Sequence, residues 1–418
     1  MNEIFPSLVA LATFVSVARA QPAVDLLIDH GFPSTGTLNL NTVLAAVTAK
    51  KGTFHFGSTY DTFNADQSWF DSVFSTFYRH VVAENGCKWD APEPSQGVKS
   101  LTECLGAQSF ATHLGFRVVV GTIIPQHVQA EIQGMGASVT SRDVVNEVVG
   151  DGVSAGMTSL QCVQNKCDWP LVTSDGSGVP LVTDLSFIFA AFKTAFQFAG
   201  ANTRLAVNEY NTGGAEAKTA CIINLIKRIQ ANTTIPFNRL VSSLAIPLGV
   251  SAMITEMDIE VNADTTPNLR YQAAIWGDYL DVCLYASNCF EFINWDPRDD
   301  LSWRGSAAAA TLFDTNGNPK PAAYEVAARL QNFANGGAEP CATATGTGVC
   351  TITITGTMTV GRTAVGTTKT TTTTTSSAPT QPTGPTNCAS AEWGQCGGIG
   401  WAGCLGCPSG TTCQVLND

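Results

Sequence analysis

Between residues 53 and 295 the chain alternates short, almost uniformly apolar runs with longer stretches whose apolar positions recur every three to four residues. The short runs are TFHFG (53–57), HVVAEN (80–85), RVVVGTII (117–124), DVVNE (143–147), RLAVNEY (204–210), AMITEMD (252–258) and FEFINW (290–295). They are rich in Val, Ile and Phe, too short for helices, and read as buried strands. The segments QSWFDSVFSTFYR, LSFIFAAFKTAFQFA, ACIINLIKRIQ and YQAAIWGDYLDVCLYA between them carry the helical period. Strand–helix alternation from residue 24 to 337 predicts a parallel sheet in an α/β fold. Seven strands at this spacing predict a (β/α)8 TIM barrel with one strand region missing. A doubly wound open sheet is the rival, but no glycine-rich nucleotide loop follows the first strand.

Polar residues cluster at one end of these runs: Glu84 and Asn85, Asn146 and Glu147, Asn208 and Glu209, Glu256 and Asp258, Trp295 and Asp296. A single glutamate at a strand end is ordinarily a surface ion pair. In a β/α barrel, however, all C-terminal strand ends open on one mouth, so residues remote in sequence converge there. Two carboxyl groups across a sugar ring are what glycoside hydrolysis requires. One, with a raised pKa, protonates the leaving oxygen, and the other attacks or activates water. Rings such as Trp295 and Trp303 would stack on the apolar faces of sugars.

The flanks change the picture. At 418 residues and 44% hydrophobic content the chain can fill a large core. Its net charge of -12 comes from only 13% charged residues with no basic patch, which argues against nucleic acid and anionic membranes. The apolar run Leu8–Val17 is too short to span a bilayer, and Ala18-Arg19-Ala20 is a small-x-small cleavage site, so residues 1–20 read as a secretory signal. Fourteen cysteines suit an oxidising compartment, and the close pairs Cys162/Cys167, Cys283/Cys289 and Cys341/Cys350 are expected to close short loops. After the barrel region (21–337) the composition turns to Thr, Ser and Pro, and residues 338–387 read as an extended, O-glycosylated linker. Residues 388–418 hold five cysteines and read as a small disulfide-stapled β module. Its Cys404-x-x-Cys407 stands in a His-free tail, which favours disulfides over zinc. No metal or cofactor is expected.

The motifs also carry a family resemblance. VAENGCKWDAPEPSQG (82–97), DVVNEV (143–148), VNEYN (207–211), ITEMD (254–258), INWDPRDDLSWR (293–304) and LFDTNGNPKPAAYEV (312–326) resemble the signatures of glycoside hydrolase family 10. The resemblance extends over about residues 24–334, and the tail from Trp393 resembles a fungal family 1 cellulose-binding module. Members of the family are retaining endo-β-1,4-xylanases on a (β/α)8 barrel. The resemblance implies xylan as substrate, Glu147 as acid/base in an Asn-Glu pair, and Glu256 as nucleophile in a motif whose usual leucine is here Met257. It implies that Glu84, Asn85 and Lys88 bind the sugar beside the scissile bond and that Asn146 holds its 2-hydroxyl. Tyr210, Trp295 and Trp303 would stack on the sugar or wall the cleft, and Trp393 would meet cellulose. A secreted, extracellular monomer is expected.

Three features depart from that pattern. The family's third strand usually resembles GHTLVWH and supplies histidine and tryptophan; here VGTIIPQHV takes its place. An ungapped alignment puts His127 on the last histidine, and a gapped one loses both. The Gln-x-His strand expected before the nucleophile is absent from FNRLVSSLAIPLGVSAMITE, which accounts for the missing eighth strand. The tail reaches Asp418 without the expected paired tyrosines and final cysteine. Two functions follow: an endo-β-1,4-xylanase with a cellulose-targeting tail, or a non-catalytic carbohydrate-binding barrel. Survival of both carboxylates favours the first; loss of the histidines favours the second.

Overall fold

A computed structural model of the chain describes residues 38–64, 66–88, 91–92, 99–119, 125–165, 183–210, 216–232, 240–242, 250–261 and 265–337. All of them lie in the first of two compact units, Met1–Gly361 and Arg362–Asp418. The expected signal, the linker, Cys341/Cys350 and Trp393 lie outside the described residues.

Eight parallel strands form a closed barrel in chain order: β1 (His55–Thr59), β2 (His80–Ala83), β3 (Gly115–Val119), β4 (Ser141–Asn146), β5 (Arg204–Asn208), β6 (Leu240–Ser242), β7 (Ser251–Met257) and β8 (Cys289–Asn294). β8 closes the ring by pairing with β1, Phe56 opposite Phe292. The missing eighth strand is thus a correction: Leu-Val-Ser supplies β6. Leu205 lies opposite Leu240 on one side and Val241 opposite Ser251 on the other. Three residues are too few to show any period in sequence. Two flanking ladders fix them because an unpaired backbone there would leave donors and acceptors without partners.

Nine helices surround the ring among the described residues: α1 (Asn41–Lys51), α2 (Gln67–Thr76), α3 (Thr102–Phe110), α4 (Pro125–Met135), α5 (Ser159–Gln164), α6 (Ser186–Phe198), α7 (Glu216–Ala231), α8 (Thr266–Tyr285) and α9 (Pro321–Ala334). The helical period located α2, α6, α7 and α8. None of the described helices is long and apolar enough to cross a membrane. Between strands and helices the core divides in two. One half is aromatic, with Phe56, Phe70, Phe74, Phe77, Trp276 and Phe292 packing β1, β2, β3 and β8 against α1, α2, α3, α8 and α9. The other is mainly aliphatic, with Val144, Val145, Ile188, Leu225 and Ile226 packing β4 and β5 against α4, α5, α6 and α7. Burial of this apolar surface drives the assembly, at about 25 cal/mol per Å². β1 and β2 also approach very closely: a Cβ on Gly57 would lie 2.1 Å from the His80 carbonyl oxygen.

The barrel interior is not the stack of branched aliphatic layers that such barrels usually hold. Arg117 of β3 forms a two-pronged ion pair with Asp143 of β4 and lies 3.6 Å from Glu291 of β8. Glu291 also accepts from Ser141 at 3.2 Å and lies 3.6 Å from His80. Each of these side chains is fully buried. Arg142, next in sequence to Asp143, is also buried, with the Glu131 carboxylate of α4 at 4.0 Å. Buried charge of this kind is tolerated only when it is paired.

Disulfides join Cys87 to Cys104, Cys162 to Cys221 and Cys283 to Cys289. The last is the expected short loop. Cys162, however, pairs with Cys221 and not with Cys167. It sits in α5, and the two Cα atoms, 5.9 Å apart, tie that helix to α7 across 59 residues of chain. Partners that are near in sequence need not be near once each is fixed in a helix.

Candidate active site

Glu147 and Glu256 stand at the mouth because two irregularities re-aim their strands. Between β4 and β5 the register slips across Asp143 and Val145. Asp143 faces the interior, Val144 and Val145 both join the outer core, and Asn146 turns to meet Asn208. Glu147 follows directly with φ +53°, in the left-handed region, and its N–H donates to the Asn208 carbonyl at 2.8 Å. A non-glycine residue held there costs about 1–3 kcal/mol. On β7 a second slip spans Ile254 to Met257 and brings Thr255 and Glu256 together onto Asn208.

Asn208 is the hub of this group. Its Nδ2 donates to Glu256 Oε1 at 2.6 Å and to Asn146 Oδ1 at 2.7 Å, and its Oδ1 accepts from the Thr255 hydroxyl at 2.6 Å. Burial first, and then the negative charge of Glu147, push the Glu256 carboxyl up to about 7; Arg117 and the Asn208 bond oppose the rise. The two glutamates therefore feel one another across the mouth.

A second group stands at the ends of β2 and β8. Asp61 accepts from the Asn85 and Gly86 N–H groups at 2.9 and 3.0 Å, fixing the turn after β2. Glu84 accepts from Asn85 Nδ2 at 2.8 Å, and Lys88 Nζ donates to Asn85 Oδ1 at 3.2 Å while lying 5.6 Å from the buried Trp295 ring. Asp296, with φ +60°, hydrogen-bonds Glu84 and accepts from the Trp303 N–H at 3.0 Å. Burial and the neighbouring Glu84 charge push Asp296 up to about 8, and burial raises Glu84 as well, so the two carboxyls favour holding a proton between them. Trp303 is 65% exposed and is held by its indole N–H, which donates to Asp258 at 2.7 Å. Asp258 also accepts from Arg304 at 2.8 Å.

The sequence-predicted residues thus fall into three sets. Asn146, Glu147 and Glu256 converge through Asn208; Glu84, Asn85, Lys88, Trp295 and Trp303 gather around Asp296. Tyr210, just after β5, forms the third, donating to Asp151 at 2.6 Å under the Lys218 ammonium. Glu209, another strand-end carboxylate, is buried and accepts the Val149 N–H at 2.7 Å, so it secures the loop after β4. His127 lies buried in the first turn of α4, with Nδ1 2.9 Å from Lys99 Nζ and Nε2 3.7 Å from Glu131. Residues 120–124, where the third-strand histidine and tryptophan were expected, lie outside the described residues. Sequence reasoning passed over Asp61 and Arg117, and it named Asn208 among the strand-end polar residues without giving it a role. Asn208 was visible inside VNEYN, but nothing local marks it as a bridge.

These carboxyls also set a stability profile. Burial is the first cause in each of four raised groups, Glu256 and Glu291 at about 7 and Glu131 and Asp296 at about 8. The folded chain then holds more protons than the unfolded one above about pH 4, so stability falls as pH rises through these values. Burial lowers His55 and His127 to about 4, which has the opposite sign, but only below their unfolded pKa of about 6.5. From about pH 6.5 to 8 the carboxyls therefore dominate. The midpoint in scanning calorimetry is expected to drop by several degrees over that window; a flat or rising midpoint contradicts these assignments.

Residues 117–329, half of the chain, match the family model described as glycosyl hydrolase family 10. The chain belongs to that family. It is a glycosyl hydrolase family 10 protein with a second match, to the fungal cellulose binding domain, over residues 392–418. Among its relatives, endo-1,4-beta-xylanase 5 of Pyricularia oryzae is 27% identical over 374 residues, covering 78% of this chain and 86% of that protein. Endo-1,4-beta-xylanase of Agaricus bisporus is 28% identical over 332 residues, covering 69% and 93%. Of the longer endo-1,4-beta-xylanase B of Neocallimastix patriciarum the match spans only 31%. In structure, native xylanase 10B from Thermotoga maritima superposes with a TM-score of 0.58 at 20% identity, over 72% of this chain and all of that one. Penicillium canescens endo-1,4-beta-xylanase XylE gives 0.56 at 18%, over 74% and 100%. These likenesses establish the barrel, and membership of the family makes the chain a hydrolase.

Proposed function

We propose that this family 10 hydrolase is a secreted, retaining endo-β-1,4-xylanase that cuts internal bonds of xylan by double displacement. The observation that carries the reading is the Asn208 hub, which holds Glu256 at the end of β7 in electrostatic contact with Glu147 at the end of β4. Glu256 would attack the anomeric carbon while Glu147 protonates the departing oxygen; Glu147 would then take a proton from water as the glycosyl–enzyme bond is broken. Their coupling suits this order. Part of the rise in the Glu256 pKa comes from the Glu147 charge. Protonating Glu147, as the acid step demands, removes that repulsion and favours the Glu256 carboxylate needed for attack.

Glu84, Asn85 and Lys88 would receive sugar hydroxyls, Asn146 the 2-hydroxyl, and Trp295 and Trp303 would line the cleft, with Tyr210 beside it. The segment 392–418, with Trp393, would anchor the enzyme to cellulose. Xylan incubated with the purified full chain and followed by proton NMR should yield the β-anomer first, the mark of retention. An α-anomer appearing first would make the mechanism inverting. A second reading, a carbohydrate-binding barrel without turnover, is favoured by the histidines. His55 and His80 begin their strands, His113 precedes β3 and His127 lies in α4, so none of the described histidines stands at a C-terminal strand end. Binding of xylo-oligosaccharides with no product at any pH would establish that reading.

A further inference from the structure

We propose that Arg117 is a positioning residue for Glu256, bracing the end of β7 and presenting the positive charge that the Glu256 carboxylate faces from inside the barrel. The inference rests on Glu256 being the nucleophile of the proposed reaction, and it concerns what holds that nucleophile. No histidine occurs in residues 115–124 or 238–249, so neither β3 nor β6 offers an imidazole to the site. Glu256 Oε1 accepts from Asn208 Nδ2, and that donor is neutral.

Arg117 rises from β3, fully buried, and its guanidinium is fixed on three sides. Nε donates to Asp143 Oδ1 at 3.1 Å and Nη2 to Asp143 Oδ2, both on β4. Nη1 donates to the Thr255 carbonyl at 3.4 Å, one residue before Glu256, and lies 3.6 Å from Glu291 of β8. The side chain is therefore a chord across the lumen, joining β3 and β4 to the backbone of the nucleophile's own strand. A planar fork with several donors suits this task, and lysine has only a point charge to offer. Being buried, the charge is poorly screened, and it acts on Glu256 directly. Among the described residues, the charged groups that act on Glu256 are Glu147 at the end of β4 and Asp143 within β4, which oppose its ionisation, and Arg117 within β3, which favours it.

The test is a direct titration of Glu256 by carbon-13 NMR of labelled glutamate carboxyls in the full chain, with Glu256→Gln supplying the assignment. Arg117→Gln is expected to raise the Glu256 midpoint by about one pH unit or more, the scale on which a nearby opposite charge acts. Arg117→Lys, which keeps the charge, should stay within about half of that shift. Because Arg117→Gln strands a buried Asp143, a second variant joins it to Asp143→Asn; this pair should fold and still raise the midpoint, by less. In the active enzyme the acid limb of kcat/KM should move in the same order. Unmoved midpoints in folded Arg117→Gln or in the paired variant would overturn the proposal, as would a shift in Arg117→Lys as large as in Arg117→Gln. A wild-type chain that fails to hydrolyse xylan would defeat the functional reading, while the titration would still decide the role of Arg117.

Discussion

Glu256→Ala is expected to abolish hydrolysis of xylan and of activated aryl xylosides alike, whereas Glu147→Ala should lose only the first. The difference follows from the two steps of retention. Xylan has a poor leaving group that must be protonated, so removing the acid at 147 should cost at least the 10²–10⁴-fold that general acid catalysis typically supplies. An aryl xyloside with a good leaving group departs unaided, so Glu147→Ala should still form the covalent intermediate and then stall for want of a base. Added azide, which needs no base, should restore turnover and give a β-configured xylosyl azide. In Glu256→Ala no acid replaces the attacking group, and both substrates should fail. Azide rescue at position 147 with an inverted product would mean that the two roles are reversed. Equal activity of both variants would remove both carboxylates from the reaction. The arrangement that motivates the test is the shared Asn208, which touches Glu256 directly and whose carbonyl receives the Glu147 N–H.

The second large effect concerns stability and lies on the outer wall. Arg329 of α9 is buried, donates to Glu325 at 2.6 Å, pairs with Asp281 of α8 and reaches within 3.8 Å of Asp278. Burial pushes Asp281 up to about 6 even with this cation beside it. Arg329→Met would leave Asp281 and Glu325 buried without it, a change that typically costs about 3–5 kcal/mol. Urea unfolding should show a large drop in midpoint with an unchanged slope. Arg298→Met is the matched comparison. It removes ion pairs at 2.8 and 2.6 Å to Asp66 and Asp300, whose side chains are 43% and 36% exposed, so the expected loss is about 1 kcal/mol or less. Similar losses for the two variants would show that burial does not decide the strength of the Arg329 network.

Much of the barrel is legible in sequence because burial on both faces writes continuous apolar runs, and β2, β4, β5, β7 and β8 lie where those runs predict, while β3 begins two residues before its run. What escapes has a physical cause in each case. β6 is too short to carry a period, and its place is set by its neighbours. The helices α1 and α3 are rich in small and polar residues, and their weak apolar stripe hides them. His80, Arg117, Asp143 and Glu291 were present in the strands as polar interruptions, but a one-dimensional pattern does not tell a lumen-facing charge from a strand boundary. Their meaning depends on which strands become neighbours. The same holds for Cys162, whose partner is selected by helix placement. The strand-end rule singled out Glu147, Glu256 and Glu84 because it rests on topology; it also picked up Glu209, whose carboxylate accepts the Val149 N–H and secures a loop.

The left-handed backbone at Glu147 and Asp296 sets folding and chemistry at odds. Both positions hold a carboxyl side chain where glycine or asparagine would sit with less strain. Variants chosen from a library for yield or heat resistance alone should drift toward those residues at 147 and 296, since proteins gain stability readily at sites that function keeps strained. On the role proposed for Glu147, such a selection would enrich robust barrels that have stopped cutting, so a breeding scheme must score turnover in every round.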